Sequence, residues 1–340
     1  MADNNNRVGV IGAGAWGTAL AIQSARVGNR TTIWAHEAEV VADINERHEN
    51  RIFLGGHRLP DGLDATGDLA GLIARSRVLL LVVPTPHVER VLAPHIDLFT
   101  EDHILVSCSK GIHTETLETL NEILVRIMPR RMHAGLAYLS GPSFAAEVAL
   151  EHPTAVTVAS HEPALAREIQ HLMSNNRFRC YASNDVIGVE MGGALKNVMA
   201  IATGCADGLG FGHNARAGII TRGLAEISRI ALRKGGNPLT LQGLSGMGDL
   251  VLTCTGDLSR NRTVGLRLGK GETLDQILAS SVTVAEGVLT SRAAWRLAQK
   301  MEVEAPIIEQ TYRVVHEGMP PLEAMERLMT RPLKDEITHA

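Results

Sequence analysis

Aromatic residues are scarce in this chain of 340 residues: tryptophan, tyrosine and phenylalanine together make up 3%. Proteins that bind single-stranded nucleic acids stack the bases on such side chains. The net charge of −4 also offers no generally basic surface to a phosphate backbone, so we expect no nucleic-acid partner. The longest aliphatic run, residues 78–83, is far shorter than the roughly 20 residues of a membrane-spanning helix, so we expect no membrane span.

Cysteine is rare as well, and no two cysteines form a CxxC pair, which argues against zinc knuckles and thioredoxin-type chemistry. The fourteen histidines form neither an HxxxH nor an HExxH motif, so we predict no metal site. No charged and then apolar targeting segment opens the sequence. We therefore expect a cytoplasmic protein with reduced, buried thiols. The four cysteines are Cys108, Cys180, Cys205 and Cys254.

Short apolar segments alternate with helical patterns in the first half of the chain. Such alternation predicts an α/β fold with a mainly parallel sheet, and continuous apolar strands fit burial on both faces. After residue 183 only helical periodicity remains. We predict a Rossmann-like, doubly wound domain over residues 1–183 and an all-helical domain over residues 184–340. The predicted strands are 7–12, 31–35, 78–83, 104–108, 134–140, 154–160 and 178–182, and the predicted helices are 16–27, 187–202, 217–234, 274–280, 288–300, 306–317 and 321–329.

A GxGxxG motif formed by Gly12, Gly14 and Gly17 lies between the first predicted strand and the helix that follows. In dinucleotide-binding proteins the first glycine permits a tight turn, the second admits a pyrophosphate, and the third lets the helix pack on the strand. The helix start supplies N–H groups to the phosphates. A glycine turn with a purely structural role is the alternative, but the position directly after a strand favours dinucleotide binding.

Two later turns also follow predicted strands, where ligands bind in sheets of this kind. Lys110 follows the strand at 104–108, and a cation there would face the ligand crevice, although a solvated loop lysine has the same pattern. The second turn, residues 140–145, contains Ser143, whose hydroxyl could cap a following helix. By itself this segment could be only a turn.

Lys196 stands in a helical segment of small and apolar residues. The positions three and four away are Gly192, Gly193, Met199 and Ala200, so no carboxylate of the same helix can form a surface ion pair with it. The small residues leave room for another group to approach. A lysine in an apolar setting can have a lowered pKa and act as an acid or base. A lysine that extends from a packed helix to solvent is the alternative, and the pattern does not decide between them.

Two segments of the second half carry polar groups at the start of helical patterns. A glycine-rich turn delivers Asp249, for which helix capping is the alternative role. Ser259, Arg260, Asn261 and Arg262 bring hydroxyl, guanidinium and amide donors to a helix start, which is a plausible seat for a phosphate. Arg262 could equally be a surface charge.

In their order and spacing these segments resemble the bacterial-type NAD(P)-dependent glycerol-3-phosphate dehydrogenases. Other Rossmann dehydrogenases share only the glycine motif. The matching segments are GAGAWGTAL at 12–20, VPT at 83–85, SKGI at 109–112, LSGPSFAAEV at 139–148, ALKNVMAIATG at 194–204, GLSGMGDLVLTCTGDLSRNRTVG at 243–265 and VAEGV at 284–288.

The resemblance implies hydride transfer between NADH or NADPH and dihydroxyacetone phosphate, giving sn-glycerol 3-phosphate for glycerophospholipid synthesis. It also implies a homodimer and a catalytic acid/base, Lys196. The residues implied to surround the triose phosphate are Lys110, Gly141, Ser143, Lys196, Asp249, Ser259, Arg260 and Asn261. The residues implied to contact the cofactor are Trp16, Lys110, Ala145, Arg260, Val284 and Glu286. The glycine motif itself adds Gly12, Gly14, Ala15 and Gly17, and the position after the second predicted strand, about 20 residues past the motif, adds His36.

Two positions depart from the family pattern. Ala15 stands where the family often has serine, which removes one side-chain contact to the cofactor. The family often has an arginine near His36 and Glu37, and this chain has none there, so the choice between NADH and NADPH stays open. Arg47 or Arg51 could reach the cofactor from the next segment.

Two other functional classes share part of this pattern. A hydroxyacid or phosphogluconate-type dehydrogenase has a similar architecture, but the Ser-Arg-Asn segment fits it poorly. A redox-sensing regulator that binds NAD(H) without chemistry should carry a basic DNA-binding element, and the sequence shows none.

Overall fold

The computed structural model describes residues 6–280 and 285–336. Its strands are β1 (Arg7–Ile11), β2 (Arg30–Trp34), β3 (Glu49–Asn50), β4 (Gly55–Arg58), β5 (Leu63–Thr66), β6 (Val78–Leu81), β7 (Ile104–Ser107), β8 (Leu136–Ser140), β9 (Thr154–Ala159) and β10 (Phe178–Ser183). Eight of them form one sheet in the order β10-β9-β8-β7-β6-β1-β2-β5. All neighbours are parallel except β8 and β9. The expected Rossmann-like domain is confirmed.

Three short strands were missed by the sequence prediction, and all lie between β2 and β6. β5 pairs with β2 at the edge of the sheet. Its side chains alternate, because Leu63 and Ala65 are buried while Asp64 is exposed. A search for continuous apolar runs does not detect a half-buried edge strand of this kind. β3 and β4 form a separate antiparallel pair.

Helices cover the sheet and make up the second half. Those of the first half are α1 (Ala15–Arg26), α2 (Ala38–Arg47), α3 (Arg51–Leu54), α4 (Leu69–Arg75), α5 (Val88–Leu92), α6 (Leu120–Ile127), α7 (Ala145–Ala149) and α8 (Pro163–Met173). Those of the second half are α9 (Val186–Gly208), α10 (His213–Arg233), α11 (Asp249–Thr255), α12 (Arg260–Gly269), α13 (Leu274–Ala279), α14 (Glu286–Lys300), α15 (Pro306–His316) and α16 (Pro321–Met329). Within the described residues no strand follows β10, so the helical second half is confirmed.

The long helix α9 is the centre of the second half. Asp185 caps its start by accepting a hydrogen bond from the Gly188 N–H at 2.9 Å. The helix is long and apolar enough to cross a membrane by length and composition, yet 83% of its most apolar window is buried inside the protein, as in a core helix. It packs closely on α12, since a Cβ on Gly204 would lie 2.1 Å from the Arg262 carbonyl oxygen.

The helices α9 and α10 differ from their predicted bounds, mainly because both begin earlier or end later than the sequence indicated. The prediction for α9 started one residue late and ended six residues early, and that for α10 started at Ala217 instead of His213. Gly204 and Gly208 weaken the apolar pattern at the end of α9, although they are needed for its contact with α12. The proposed domain boundary at residue 183 coincides with the end of β10, two residues before the Asp185 cap.

Four thiols and the carboxyl group of Glu226 are buried inside the protein. All four cysteines are free and buried, as expected. On α10, Glu226 caps α15, because its carboxylate oxygens accept hydrogen bonds from Ile307 N–H at 2.8 Å and Ile308 N–H at 3.1 Å. Burial raises the pKa of Glu226 to about 7, against the effect of these two donors.

Candidate active site

The glycine motif forms the turn between β1 and α1, and its glycines have different surroundings. Gly12 has φ +115°, and a Cβ on it would lie 2.7 Å from the Val82 carbonyl oxygen. A Cβ on Gly17 would lie 1.9 Å from the Gly12 carbonyl oxygen, whereas one on Gly14 would meet nothing within 4 Å. The fold therefore needs Gly12 and Gly17, while Gly14 leaves the backbone open to a ligand.

The start of α1 fits a phosphate-containing cofactor. Its N-cap residue, Gly14, makes no side-chain capping bond, and the first turn contains no acidic residue. Ala15 is the first residue of the helix and adds no polar group. Backbone N–H groups at such a helix start carry positive potential and bind anions.

Two side chains hold the glycine turn in place. The Trp16 indole N–H donates to the Cys108 carbonyl oxygen at 3.2 Å, which ties the turn to the end of β7. The Asn50 amide donates to the Ala13 carbonyl oxygen and to the Thr18 hydroxyl, each at 2.8 Å. Sequence reasoning missed Asn50, because a lone asparagine 37 residues away carries no local signal.

His36 and Glu37 follow β2, and both side chains are exposed. Glu37 occupies the N-cap position of α2 without making a capping bond. The suggestion that Arg47 or Arg51 reaches the cofactor is not supported, because each binds Asp43 at 2.7 Å. These two guanidinium groups hold the pKa of Asp43 well below its usual range.

Two lysines share one buried carboxylate where the sheet meets the helices. Lys110 donates to the Gly141 carbonyl oxygen at 3.1 Å and to Asp249 Oδ2 at 2.7 Å. Lys196 donates to Asp249 Oδ1 at 2.6 Å and to the Thr253 hydroxyl oxygen at 2.9 Å. Asp249 is 0% exposed. Sequence reasoning missed Thr253, although its position one helical turn after Asp249 is a usable signal.

Small residues on α9 allow this assembly. A Cβ on Gly192 would lie 2.3 Å from the carbonyl oxygen of Ser245, in the turn that delivers Asp249. A Cβ on Gly193 would lie 2.4 Å from the Ser140 hydroxyl oxygen. The groups that use the space beside Lys196 therefore belong to the protein itself. Lys196 has no ion-pair partner at the positions three and four away on its own helix, as the sequence predicted, and its partner Asp249 comes from another helix.

The electrostatic environment suits proton transfer. Burial lowers the pKa of Lys196 and the positive charge of Lys110 acts in the same direction, while Asp249 opposes both. An ammonium group has three N–H donors. Each lysine uses two on protein acceptors among the described residues, which leaves one for a ligand. Burial raises the pKa of Glu286, against the effect of Arg260 and the two lysines.

The start of α12 supplies polar groups from the second half. The Ser259 hydroxyl oxygen caps this helix by accepting from the Arg262 N–H at 3.2 Å. Asn261 Oδ1 accepts from the Gly287 N–H at 2.8 Å, which joins the starts of α12 and α14. Arg260 is exposed at the first position of α12.

Two further candidates, Arg262 and Ser143, have their partners within the protein. Arg262 of α12 binds Asp207 at 2.9 Å and Asp257 at 2.9 Å, so its fork ties α12 to the end of α9 and to the loop before α12. The suggested capping by Ser143 was wrong, because its hydroxyl donates to the Gly141 carbonyl oxygen at 2.9 Å. The helix it precedes, α7, begins at Ala145 and has no side-chain cap.

Val284, one of the implied cofactor contacts, lies outside the described residues.

The sequence predicted no metal site. Residues 6–280 and 285–336 contain no group of three or more His, Cys, Asp or Glu side chains that could hold a metal ion.

Comparison with protein-family profiles shows which family the chain belongs to. The profile of the NAD-dependent glycerol-3-phosphate dehydrogenase N-terminus matches residues 7–166, and that of the C-terminus matches residues 185–326. The chain belongs to this family. The resemblance seen in the sequence motifs is thereby confirmed. The prediction that the protein is an NAD(P)-dependent oxidoreductase is confirmed as well.

Individual relatives agree with the family assignment. A glycerol-3-phosphate dehydrogenase (NAD(P)+) of Geobacter sp. (strain M21) is 51% identical over 330 residues, which cover 97% of this chain and 98% of the relative. That of Myxococcus xanthus (strain DK1622) is 51% identical over 332 residues, covering 97% and 99%. The crystal structure of glycerol-3-phosphate dehydrogenase from Coxiella burnetii superimposes with a TM-score of 0.90 at 36% identity, covering 96% and 99%.

Gly14→Ala and Gly17→Ala should separate cofactor binding from folding. Gly14 has φ −64° and ψ 177°, which alanine adopts freely, and the new methyl points into the space left open. We expect unchanged thermal unfolding and NADH binding weakened by about tenfold, or roughly 1.4 kcal/mol. Gly17→Ala forces a clash and should lower stability by about 1–3 kcal/mol. Thermal unfolding and NADH titration measure both, and normal NADH affinity in Gly14→Ala would contradict the prediction.

Proposed function

We propose that this chain interconverts dihydroxyacetone phosphate and sn-glycerol 3-phosphate, with Lys196 as the group that gives and takes the proton. The observation that carries the proposal is the buried carboxylate of Asp249 shared by Lys196 and Lys110. A bound nicotinamide cofactor supplies the hydride in one direction and accepts it in the other.

Reduction of a ketone needs a proton and positive charge at the carbonyl oxygen, which becomes an alkoxide. In our proposal, protonated Lys196 donates from the N–H that the protein leaves unused. Asp249 and Thr253 hold the other two N–H groups, so they orient the third. In the oxidation direction, neutral Lys196 removes the hydroxyl proton, and its lowered pKa makes that form accessible. Lys110 adds a second positive charge.

The substrate phosphate is assigned to the start of α12. Arg260 offers a planar fork of N–H donors, and the ten-residue helix adds backbone N–H groups. The Ser259 hydroxyl oxygen and the Asn261 amide oxygen accept hydrogen bonds from the protein, and in our proposal the hydrogens of these two groups are donated to the phosphate. Gly141 and Ser143 complete the proposed triose phosphate site beside Lys110.

The cofactor, NADPH or NADH, is assigned to the crevice above the glycine motif. The open backbone at Gly14 and the uncapped start of α1 support this placement. Exposed His36 is assigned to the adenosine ribose, since it lies just after β2 and about 20 residues after the motif. The further assigned contacts are Gly12, Ala15, Trp16, Gly17, Lys110, Ala145, Arg260, Val284 and Glu286.

The wider context of the reaction is part of the same proposal. Residues 1–183 form the dinucleotide-binding domain and residues 184–340 the helical substrate domain. The enzyme acts as a cytoplasmic homodimer and supplies sn-glycerol 3-phosphate to glycerophospholipid synthesis. Size measurements in solution test the dimer.

Lys196→Ala should remove the chemistry and keep the cofactor. Loss of a general acid lowers rates by about 10²–10⁴-fold, so we expect that decrease in kcat for dihydroxyacetone phosphate reduction. Steady-state assays with NADH and NADPH measure it, and NADH titration shows that the site is still formed. Exposed Lys300 at the end of α14 provides the control, since Lys300→Ala should behave as the wild type. A kcat near normal in Lys196→Ala would remove this lysine from the mechanism.

Arg260→Lys should weaken recognition of the phosphate, because lysine keeps the charge but loses the planar fork. We expect a higher KM for dihydroxyacetone phosphate with a smaller change in kcat. Wild-type enzyme should turn over unphosphorylated dihydroxyacetone very poorly, because binding of the phosphate positions the ketone. Arg75→Lys at the exposed end of α4 is the matched control. Equal kcat/KM for the two ketones would refute the assigned phosphate site.

Glu37→Arg should shift cofactor choice toward NADPH. A carboxylate at the end of β2 accepts hydrogen bonds from a ribose 2′-hydroxyl and repels a 2′-phosphate, while arginine does the reverse. We expect wild-type enzyme to use NADH well, and the ratio of kcat/KM for NADPH over NADH to rise in the variant. Glu39→Arg, exposed in the first turn of α2, controls for added charge. An unchanged ratio in Glu37→Arg would mean that this side chain does not read the ribose.

A further inference from the structure

A small cavity lies between the ends of β7 and β8 and the helix α9. Its polar lining comes from Ser107, Lys110, Tyr138, Ser140 and Glu190. The space open to the centre of a water molecule is about 10 Å³, which is room for one water. The cavity therefore adjoins one of the two lysines that share Asp249, yet the chemistry proposed above makes no use of it.

Three buried polar atoms in this lining have no hydrogen-bond partner among the described protein groups. They are Ser107 Oγ, Ser140 Oγ and Glu190 Oε2. A buried polar atom without a partner is costly, and a buried water typically makes about three hydrogen bonds to such atoms. Hydroxyl groups both donate and accept, so one water molecule can satisfy all three atoms at once.

Glu190 also connects α9 to the sheet domain. Its Oε1 accepts from the Asn121 N–H at the start of α6 at 2.8 Å. The Asn121 side-chain oxygen accepts from the Tyr138 hydroxyl on β8 at 2.9 Å. Two residues further along β8 is Ser140, which carries one of the unpartnered hydroxyls. Glu190 is thus linked to β8 in two ways. Hydrogen bonds connect it to Tyr138 through Asn121, and it faces Ser140 across the cavity.

The end of β8 leads to the lysine cluster. Ser140 is followed by Gly141, whose carbonyl oxygen receives the Lys110 ammonium at 3.1 Å. Gly193 of α9, one turn after Glu190, lies against both the Ser140 hydroxyl and the Lys110 stem. The same backbone segment therefore carries both the Ser140 hydroxyl and the acceptor that holds Lys110.

The charge on Glu190 matters because Lys110 lines the same cavity. Burial raises the pKa of Glu190 to about 8, so the acid is mostly neutral at pH 7. Hydrogen bonds from the Asn121 N–H and from the Thr119 side chain lower this pKa. Glu122 of α6 raises it and Lys234 of α10 lowers it, and these two bind each other at 2.7 Å. Tyr138 faces Glu190 from β8, and its own pKa is raised by burial and by this acid.

We propose that Glu190 is a positioning residue of the reaction, which binds an internal water together with Ser107 and Ser140 and, as a neutral acid, leaves Lys110 on Asp249. The neutral carboxyl donates from Oε2 to the water, since Oε1 accepts from the backbone. An ionised Glu190 attracts the Lys110 ammonium across a low-dielectric cavity and competes with Asp249. The inference rests on the function proposed above.

The isosteric variant Glu190→Gln tests the charge. Glutamine keeps an acceptor for the Asn121 N–H and a donor for the water, and it never ionises. Between pH 7 and pH 9 the neutral fraction of a group with a pKa of about 8 falls about tenfold, so the ratio of kcat in Glu190→Gln to kcat in the wild type should rise by up to that factor. Parallel pH profiles of the two enzymes would overturn the proposal.

Thermal unfolding tests the proton on Glu190 without any substrate. Its folded pKa lies above the ordinary value of 4.5, so its contribution to stability is full below pH 4.5 and is lost as pH rises through about 8. The Tm of Glu190→Gln relative to wild type should therefore increase with pH from 5 to 8 and then level off. A difference in Tm that does not depend on pH would mean that the folded protein holds Glu190 ionised, which contradicts the proposal.

Glu226→Gln is the matched control, because Glu226 is another buried acid with a raised pKa but caps α15 away from the lysines. Its Tm difference should depend on pH, while its kcat profile should parallel that of the wild type. A change in the kcat profile equal to that of Glu190→Gln would show a general effect of stability and overturn the positioning role. If the wild type does not reduce dihydroxyacetone phosphate, the proposed function fails, while the Tm series still reports the proton on Glu190.

Ser140→Ala tests the water. It removes one of the three partners, so we expect a lower kcat with NADH affinity retained. A high-resolution crystal structure of the wild type should show a water within hydrogen-bond distance of Ser107, Ser140 and Glu190. A dry cavity in that structure would refute the water-mediated link.

Discussion

The sharing of one carboxylate by two ammonium groups is the interaction on which the rest of the site depends. Asp249 is fully buried, and Lys110 and Lys196 approach its two oxygens from different parts of the chain. Without this anion, the buried Lys196 and the half-buried Lys110 would repel each other, and a lone buried carboxylate would be strongly destabilising. The glycines of α9, the turn before α11 and the strand-end loops are all arranged so that the three charges meet.

Much of the fold could be predicted because its signals are local. Continuous apolar segments marked the buried strands, and the change to helical periodicity after residue 183 marked the second half. Short edge strands such as β5 were missed, since their half-buried pattern covers only four residues. The reversal between β8 and β9 also has no local signal, because strand direction depends on how distant segments pack.

The residues of the candidate site were also predictable only where their sequence signals are local. Motif position pointed to the glycine turn, to Lys110 at a strand end and to Lys196 on a helix of small residues. Local spacing could not show the ion pair of Lys196, since it reports only neighbours on the same helix while Asp249 is 53 residues away. Only the family resemblance brought the two residues together at the substrate. Asn50 and Glu190 were missed for the same reason: their roles arise from tertiary contacts and from burial, which a sequence pattern does not express.

The buried charges also bear on how the chain folds. Lys110 and Asp249 are 139 residues apart, and Lys196 and Asp249 are 53 apart. Contacts at such separation form slowly, and a charge loses its water favourably only when its partner is already in place. The sheet and the helices can each collapse through apolar contacts, but the junction between them closes only when all three charges arrive. We therefore expect the lysine–aspartate cluster to assemble late in folding, and a partly synthesised chain that ends before residue 249 to keep both lysines in water.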